Sequence, residues 1–275
     1  VFESPDGTNA FVAVTAATAL AFFSLVGFED SVNMAEETKE PSRIFPKVML
    51  SGLVLTGLIY VLVSITAVAL VPVGELSEGG TPLLTVVERG APNLPIDKIY
   101  PFIAMFAVAN SALINMMMAS RLLYGMSRQG VLPSVLGRVH QGRRTPWTSI
   151  IFTTLLAGGL IVLVQSVANL GDVTALLLLA VFAVVNVACL VLRRDAVGHD
   201  HFTAPTALPV IGAAACAFMV GPWVGRDGAT YAIAGWLLLI GVSLWAVTWF
   251  LNRALYAKPT RIKEPEDLRK GGPQV

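Results

Sequence analysis

Glu29 and Asp30 are the first residues in this chain whose type and place could do chemistry, because they close an uncharged apolar run from Ala10 to Phe28. A carboxylate at the centre of a bilayer costs roughly 2.5 to 3.5 kcal/mol on insertion scales, so acids held at depth usually serve function. Gly27 stands between Val26 and Phe28, where a continuous helix prefers neither glycine nor a break. Two arrangements fit this spacing. Ala10 to Phe28 can span alone, with Glu29 an ordinary helix end at the surface. Alternatively, the span runs from about Ala16 to Met34, unwound near Ser24 to Gly27 and resuming at Glu29. A helix broken at mid-membrane leaves free carbonyls and N–H groups, which persist only where they line a cavity. A zwitterion suits such ends, its amine on the carbonyls and its carboxylate on the N–H groups.

A second polar group, Asn110, Ser111 and Asn115, sits among Ala, Leu and Met. Ser111 and Asn115 are four apart and share a helix face. An Asn in hydrocarbon needs a partner, whether a ligand or its own helix. Asn186 reads more readily as helix glue, and Ala213, Ala217 and Gly221 form a ridge of small residues suited to close packing. Cys189 and Cys216 lie in apolar runs and read as small buried hydrophobes. No Cys/His cluster has metal spacing and no haem attachment pattern occurs, so no cofactor or metal is expected. His140, His199 and His201 all fall in loops. With no Ser/His pair, paired intramembrane aspartates or HExxH, the chain is not expected to be an enzyme.

The elements that carry these residues must be membrane helices. Charged residues make up 13% of the 275 and hydrophobic ones 55%, where about 25% charge is usual for soluble domains. So few charges cannot cover a water-soluble surface. The net charge of +1 gives no bulk attraction to nucleic acid. Charge-free windows predict an all-α protein with seven transmembrane spans at about 10–34, 48–71, 99–124, 147–164, 173–192, 207–225 and 229–251. No period-2 alternation suggests a barrel. Lys39, Arg43 and Lys47 follow the first span; Arg121, Arg128, Arg138, Arg143 and Arg144 follow the third. Arg193 and Arg194 follow the fifth and six more basic residues lie in the tail, whereas the opposite side holds only Arg89, Lys98 and Arg226. Basic loops stay in the cytoplasm, so the N-terminus is expected outside and the C-terminus inside. Residues 1–252 thus form a transmembrane domain and 253–275 a disordered cytoplasmic tail. TPLLTVVERG is expected as a short helix along the outer face, and VLPSVLGRVH as either an interfacial helix or a solvated loop.

The run FFSLVGFEDSVNMAEETKEPSRIFPK, Phe22 to Lys47, resembles the sixth helix and following loop of the amino acid–polyamine–organocation (APC) superfamily of permeases. ASRLLYGMSRQGVLP, Ala119 to Pro133, is similar to the end of that superfamily's eighth helix. The resemblance implies a LeuT-type fold of two inverted five-helix repeats plus two further helices. The seven spans would be helices six to twelve, the second repeat and the final pair, in an N-terminally truncated permease. It further implies that Phe23, Ser24, Leu25, Val26 and Gly27 form the unwound substrate-binding segment. Phe23 would be an aromatic gate, and the Ser24 and Val26 backbone would hold the substrate amine. Glu29 would be the coupling acid and Asn115 a pocket side chain, with Asn110 and Ser111 possible pocket polar groups. Asp30 departs from the small residue common at its position.

The function this implies is secondary transport of amino acids or related amines across the plasma membrane by alternating access, with an amino acid and the lipid bilayer as partners. Proton coupling, sodium coupling and exchange all stay open. A seven-helix receptor is the alternative, since it shares the topology. Against it, the last span has no lysine for a retinal Schiff base and no acid-Arg-aromatic triplet closes the third.

Overall fold

Beyond Lys47 the helix from Pro41 to Leu70 carries no charge, and none of its residues is buried by protein. A helix with that composition can be hidden from water only by lipid. The computed structural model describes residues 10–29, 31–32, 38–78, 80–93, 95–140, 142–143, 145–164, 167–194 and 202–255. Within them the helices are α1 (Ala10–Ser24), α2 (Pro41–Leu70), α3 (Val73–Glu78), α4 (Pro82–Gly90), α5 (Ile96–Arg128), α6 (Trp147–Val164), α7 (Val167–Leu192), α8 (Ala207–Val220) and α9 (Gly228–Leu255). Short 3-10 turns occupy Ser134–Gly137 and Pro222–Val224. Among the described residues there is no named strand.

Five helices, α2, α5, α6, α7 and α9, are long and apolar enough to cross a membrane. α1 and α8, expected as spans of 10–34 and 207–225, form regular helices of only 15 and 14 residues, short of the roughly 20 a crossing helix needs. α1 gives way to turns at Leu25, and the α8 stretch finishes in the Pro222–Val224 turn. α2 and α5 begin earlier than their apolar windows, because proline opens α2 and a helix continues through charged residues once outside hydrocarbon. TPLLTVVERG forms α4. VLPSVLGRVH forms neither expected structure in full: it contains one 3-10 turn whose Leu136 is buried. Arg253 to Leu255 continue α9 rather than starting a tail. Residues 256–275, Asp30, Asn33, Met34, His199 and His201 lie outside the described residues.

The chain forms two compact units: one of residues 1–26, 116–199 and 203–275, the other of 27–115 and 200–202. In the second unit α4 packs on α2 and α3, and Arg89 of α4 reaches Glu75 of α3 at 2.6 Å. Both ends of that pair are half exposed, so it contributes little.

In the first unit α7 is the hub, touching α1, α6, α8 and α9. Val173 and Leu176 of α7 and Ala234 of α9 make its core, edged by Leu177, Val220, Tyr231, Ile233 and Leu237. α8 turns Gly212, Ala213 and Cys216 inward while Ala217 is exposed, so the close approach to α7 runs beside the expected ridge of small residues. A Cβ on Gly212 would stand 3.0 Å from Oδ1 of Asn186 on α7. Neither cysteine is paired: Cys189 is exposed and Cys216 half-buried.

The polar tie of this unit joins α7 to the start of α9. Arg226 donates from Nε to Oδ1 of Asp172 at 2.9 Å and from Nη1 to the Met219 carbonyl. Thr230 donates to the other oxygen of Asp172 at 3.0 Å, and Tyr231 donates to the Val220 carbonyl at 3.0 Å. The Arg226 side chain is only 2% exposed, and its Nη2 finds no partner among the described residues. Removing one end of such a pair leaves the other charge buried alone, which costs roughly 3 to 5 kcal/mol. Arg226→Met is therefore expected to lower the thermal unfolding midpoint in detergent sharply, with Asp172→Asn added to it recovering part of the loss. A single variant as stable as the parent would refute this account of the tie.

Candidate functional site

α1 holds few helix-breaking residues until Ser24, and there its hydrogen bonding changes. The Ser24 hydroxyl donates to the Ala21 carbonyl at 2.7 Å, taking up an acceptor of the last turn, as hydroxyls near helix ends do. Leu25 N–H then donates to the Phe22 carbonyl at 3.0 Å and Val26 N–H to that of Phe23 at 3.1 Å. These three-residue steps tighten the turn and end the α-helix. Gly27 follows with φ of +121°, a backbone angle that costs glycine little and a residue with Cβ much more. Its N–H is held by Oε2 of Glu29 at 2.8 Å. Glu29, half-buried, lies in a short 3-10 stretch with Ser31 and Val32; among the described residues no regular helix resumes there.

The consequence is a row of available acceptors. The Ser24, Leu25 and Val26 carbonyls receive no hydrogen bond among the described residues. A peptide carbonyl carries a fixed partial negative charge, and three in succession can hold an ammonium group.

Two consecutive aromatics seat this helix end on α7. Phe22 meets Phe182 edge-on, with ring centroids 6.0 Å apart and an interplanar angle of 81°. Phe23 lies over Gly171, where an added Cβ would stand 3.1 Å from its ring; the other side of Phe23 is open, leaving the residue 41% exposed. Farther along α1, Phe11 meets Phe218 of α8 at 6.2 Å.

Among the remaining expected polar groups, Asn115 and Asn186 bond within their own helices. Asn115 donates to the Ser111 carbonyl at 2.9 Å, a bond within its own helix, and Asn110, Ser111 and Asn115 are all exposed on α5. Asn186 likewise donates to its own helix, at the Phe182 carbonyl, 2.8 Å away, in keeping with its reading as glue. Phe23, Ser24, Leu25 and Val26 belong to the first unit; Gly27, Glu29, Asn110, Ser111 and Asn115 belong to the second. Among the described residues no three His, Cys, Asp or Glu side chains gather as a metal would require. Sequence reasoning passed over Asp172, Arg226 and Thr230. Asp172 lies 54 residues from Arg226 and 58 from Thr230 along the chain, and the only signal was an acid and a base at the ends of two apolar windows.

An all-helical chain with five helices fit to cross a bilayer is a multi-pass membrane protein. Comparison with known proteins gives its class: residues 3–256 match the family model described as amino acid permease. The chain belongs to the amino acid permease family of the APC superfamily. It is 25% identical over 256 residues, 90% of this chain and 51% of the relative, to the branched-chain amino acid permease BcaP of Bacillus subtilis (strain 168). It is 26% identical over 221 residues to the methylthioribose transporter of the same organism, covering 76% of this chain and 45% of the relative. With cationic amino acid transporter 9, chloroplastic, of Arabidopsis thaliana it shares 31% identity over 137 residues, 50% of this chain and 24% of the relative. The chain thus spans about half the length, or less, of these relatives. No solved structure matches it. Transporters, rather than enzymes, make up these relatives, and the receptor alternative finds no support among them.

The left-handed turn at Gly27 yields a direct test. Gly27→Ala is expected to cost about 1 to 3 kcal/mol through backbone strain, even though its Cβ would meet open space. Gly52→Ala, inside α2 and equally open, is expected to be neutral or to stabilise by up to about 1 kcal/mol. Thermal unfolding of both variants in detergent checks the contrast, and equal midpoints would mean that Gly27 is not held in this conformation.

Proposed function

We propose that this chain works in secondary active transport of amino acids or related amines, as the second-repeat half of a LeuT-type carrier that operates by alternating access. The observation that carries the proposal is the end of α1 at Ser24, where the Ser24, Leu25 and Val26 carbonyls receive no hydrogen bond among the described residues. In this mechanism the Ser24, Leu25 and Val26 carbonyls receive the substrate ammonium group. Phe23, seated on Gly171 and open on its other side, closes over the bound substrate. Glu29 holds the backbone of Gly27 through its carboxylate, so its protonation would release that N–H and loosen the turn. Binding and coupling then act on one short stretch of backbone. Asn115, with Asn110 and Ser111, is a further candidate for substrate contact, its amide exchanging its helix carbonyl for substrate.

Family membership supports amino acids as the substrate class, as do the names of two of the relatives, for branched-chain and for cationic amino acids. The bias of basic residues toward alternate loops supports seven spans in the plasma membrane with the C-terminus in the cytoplasm. The first and sixth crossings would then include the turns that follow α1 and α8.

Glu29→Gln keeps the shape of the side chain and removes its charge. Radiolabelled amino acid uptake by cells expressing the complete gene product is expected to fall by roughly tenfold or more, the scale of a typical coupling free energy, with membrane insertion unchanged. Uptake equal to the parent at every pH tested would remove Glu29 from the mechanism.

A further inference from the structure

The chain makes a pinned turn where α6 begins. His140 N–H donates to the Thr145 carbonyl at 2.9 Å, Trp147 N–H donates to the same carbonyl at 2.9 Å, and Arg143 N–H donates to Nδ1 of His140 at 3.3 Å. The Ser149 hydroxyl, fully buried, donates to the Leu136 carbonyl at 2.7 Å, and Thr148 donates to the Arg138 carbonyl at 3.4 Å. The loop is therefore fastened to the first turn of the helix. Beside it opens a cavity of about 440 Å³ lined by His140, Arg143, Thr145, Trp147, Ile150 and Ile151.

The two walls of this cavity differ in chemistry. One is basic: Arg143 carries a permanent charge, and His140, whose Nδ1 is an acceptor, keeps its proton on Nε2 and presents a donor. The other is apolar, with Trp147, Ile150 and Ile151 on the first turns of a helix fit to cross the membrane, each 38% exposed or more. No Asp or Glu occurs between Asp97 and Asp172, while five arginines lie between Arg121 and Arg144. Among the described residues no carboxylate pairs with Arg138 or Arg143. Among the described residues the positive wall has no counter-ion, and the apolar wall continues along a helix fit to cross the membrane.

We propose that this cavity binds an anionic phospholipid, its phosphate on Arg143 and His140 and one acyl chain along Ile150 and Ile151. A free phosphate would use only one of the two walls, whereas an anionic amphiphile satisfies both, and Trp147 sits where tryptophan favours the membrane–water boundary. The site is separate from the interrupted end of α1 and does not rest on the transport proposal. The test is native mass spectrometry of the full chain in detergent, exposed to equal amounts of phosphatidylglycerol and phosphatidylcholine with identical acyl chains. Phosphatidylglycerol is expected to be retained preferentially. That preference should fall roughly fivefold with Arg143→Gln, fall less with His140→Gln, and stay unchanged with Arg89→Gln on α4. Ile150→Asn with Ile151→Asn should reduce retention of both lipids. Equal retention of the two lipids by the parent, or an unchanged preference in Arg143→Gln, overturns the proposal. Displacement of the lipid by inorganic phosphate would show a free-anion site and overturn it as well.

Discussion

Every peptide N–H and C=O taken into a membrane must find a partner, and this requirement shapes the chain from end to end. Uninterrupted helix meets it most simply, which is why α2 can present apolar side chains on all sides with none of its residues buried by protein. The turn after Ser24 departs from the rule. Its N–H groups are satisfied by short steps and by the Glu29 carboxylate, while three carbonyls receive no hydrogen bond among the described residues. The departure is paired with a glycine at positive φ and two aromatics fixed on α7, so the irregular backbone is held by its surroundings.

α7 supplies most of that support. It packs against four other helices, and its apolar core beside α9 is closed at one end by Asp172, Arg226 and Thr230. A guanidinium nearly removed from solvent is costly unless its donors are used. Two of its nitrogens are, and they join three segments: the start of α7, the last turn of α8 and the approach to α9. The same helix offers Gly171 and Phe182 to α1, one turn and four turns from its start. A polar clamp and an aromatic seat thus share one rigid element.

The helical class was legible because hydrocarbon length and charge exclusion leave a coarse signal in composition. Helix ends were less so. Hydropathy marks where lipid stops, whereas hydrogen bonding continues through Arg43 and Lys47 in α2 and through Asp97 and Lys98 in α5. The Ser24 to Gly27 stretch could be singled out from a glycine between bulky neighbours and an acid just beyond. Two polar residues, Ser24 there and Asn115 on α5, admitted a local partner or a ligand, and the structure gives both local ones. The Asp172–Arg226 pair was illegible for a different reason: each residue alone marks the end of an apolar window, and only the return of the α8–α9 connection to α7 makes them neighbours.

The contact between Phe23 and Gly171 has a mechanical consequence. Because bare backbone, with no side chain to interlock, forms the floor under the ring, the aromatic plane can pivot or slide there without dragging α7 along. Friction at that bearing is set by the absence of a single methyl group. Filling that space would wedge the ring upward and interlock it with the helix beneath.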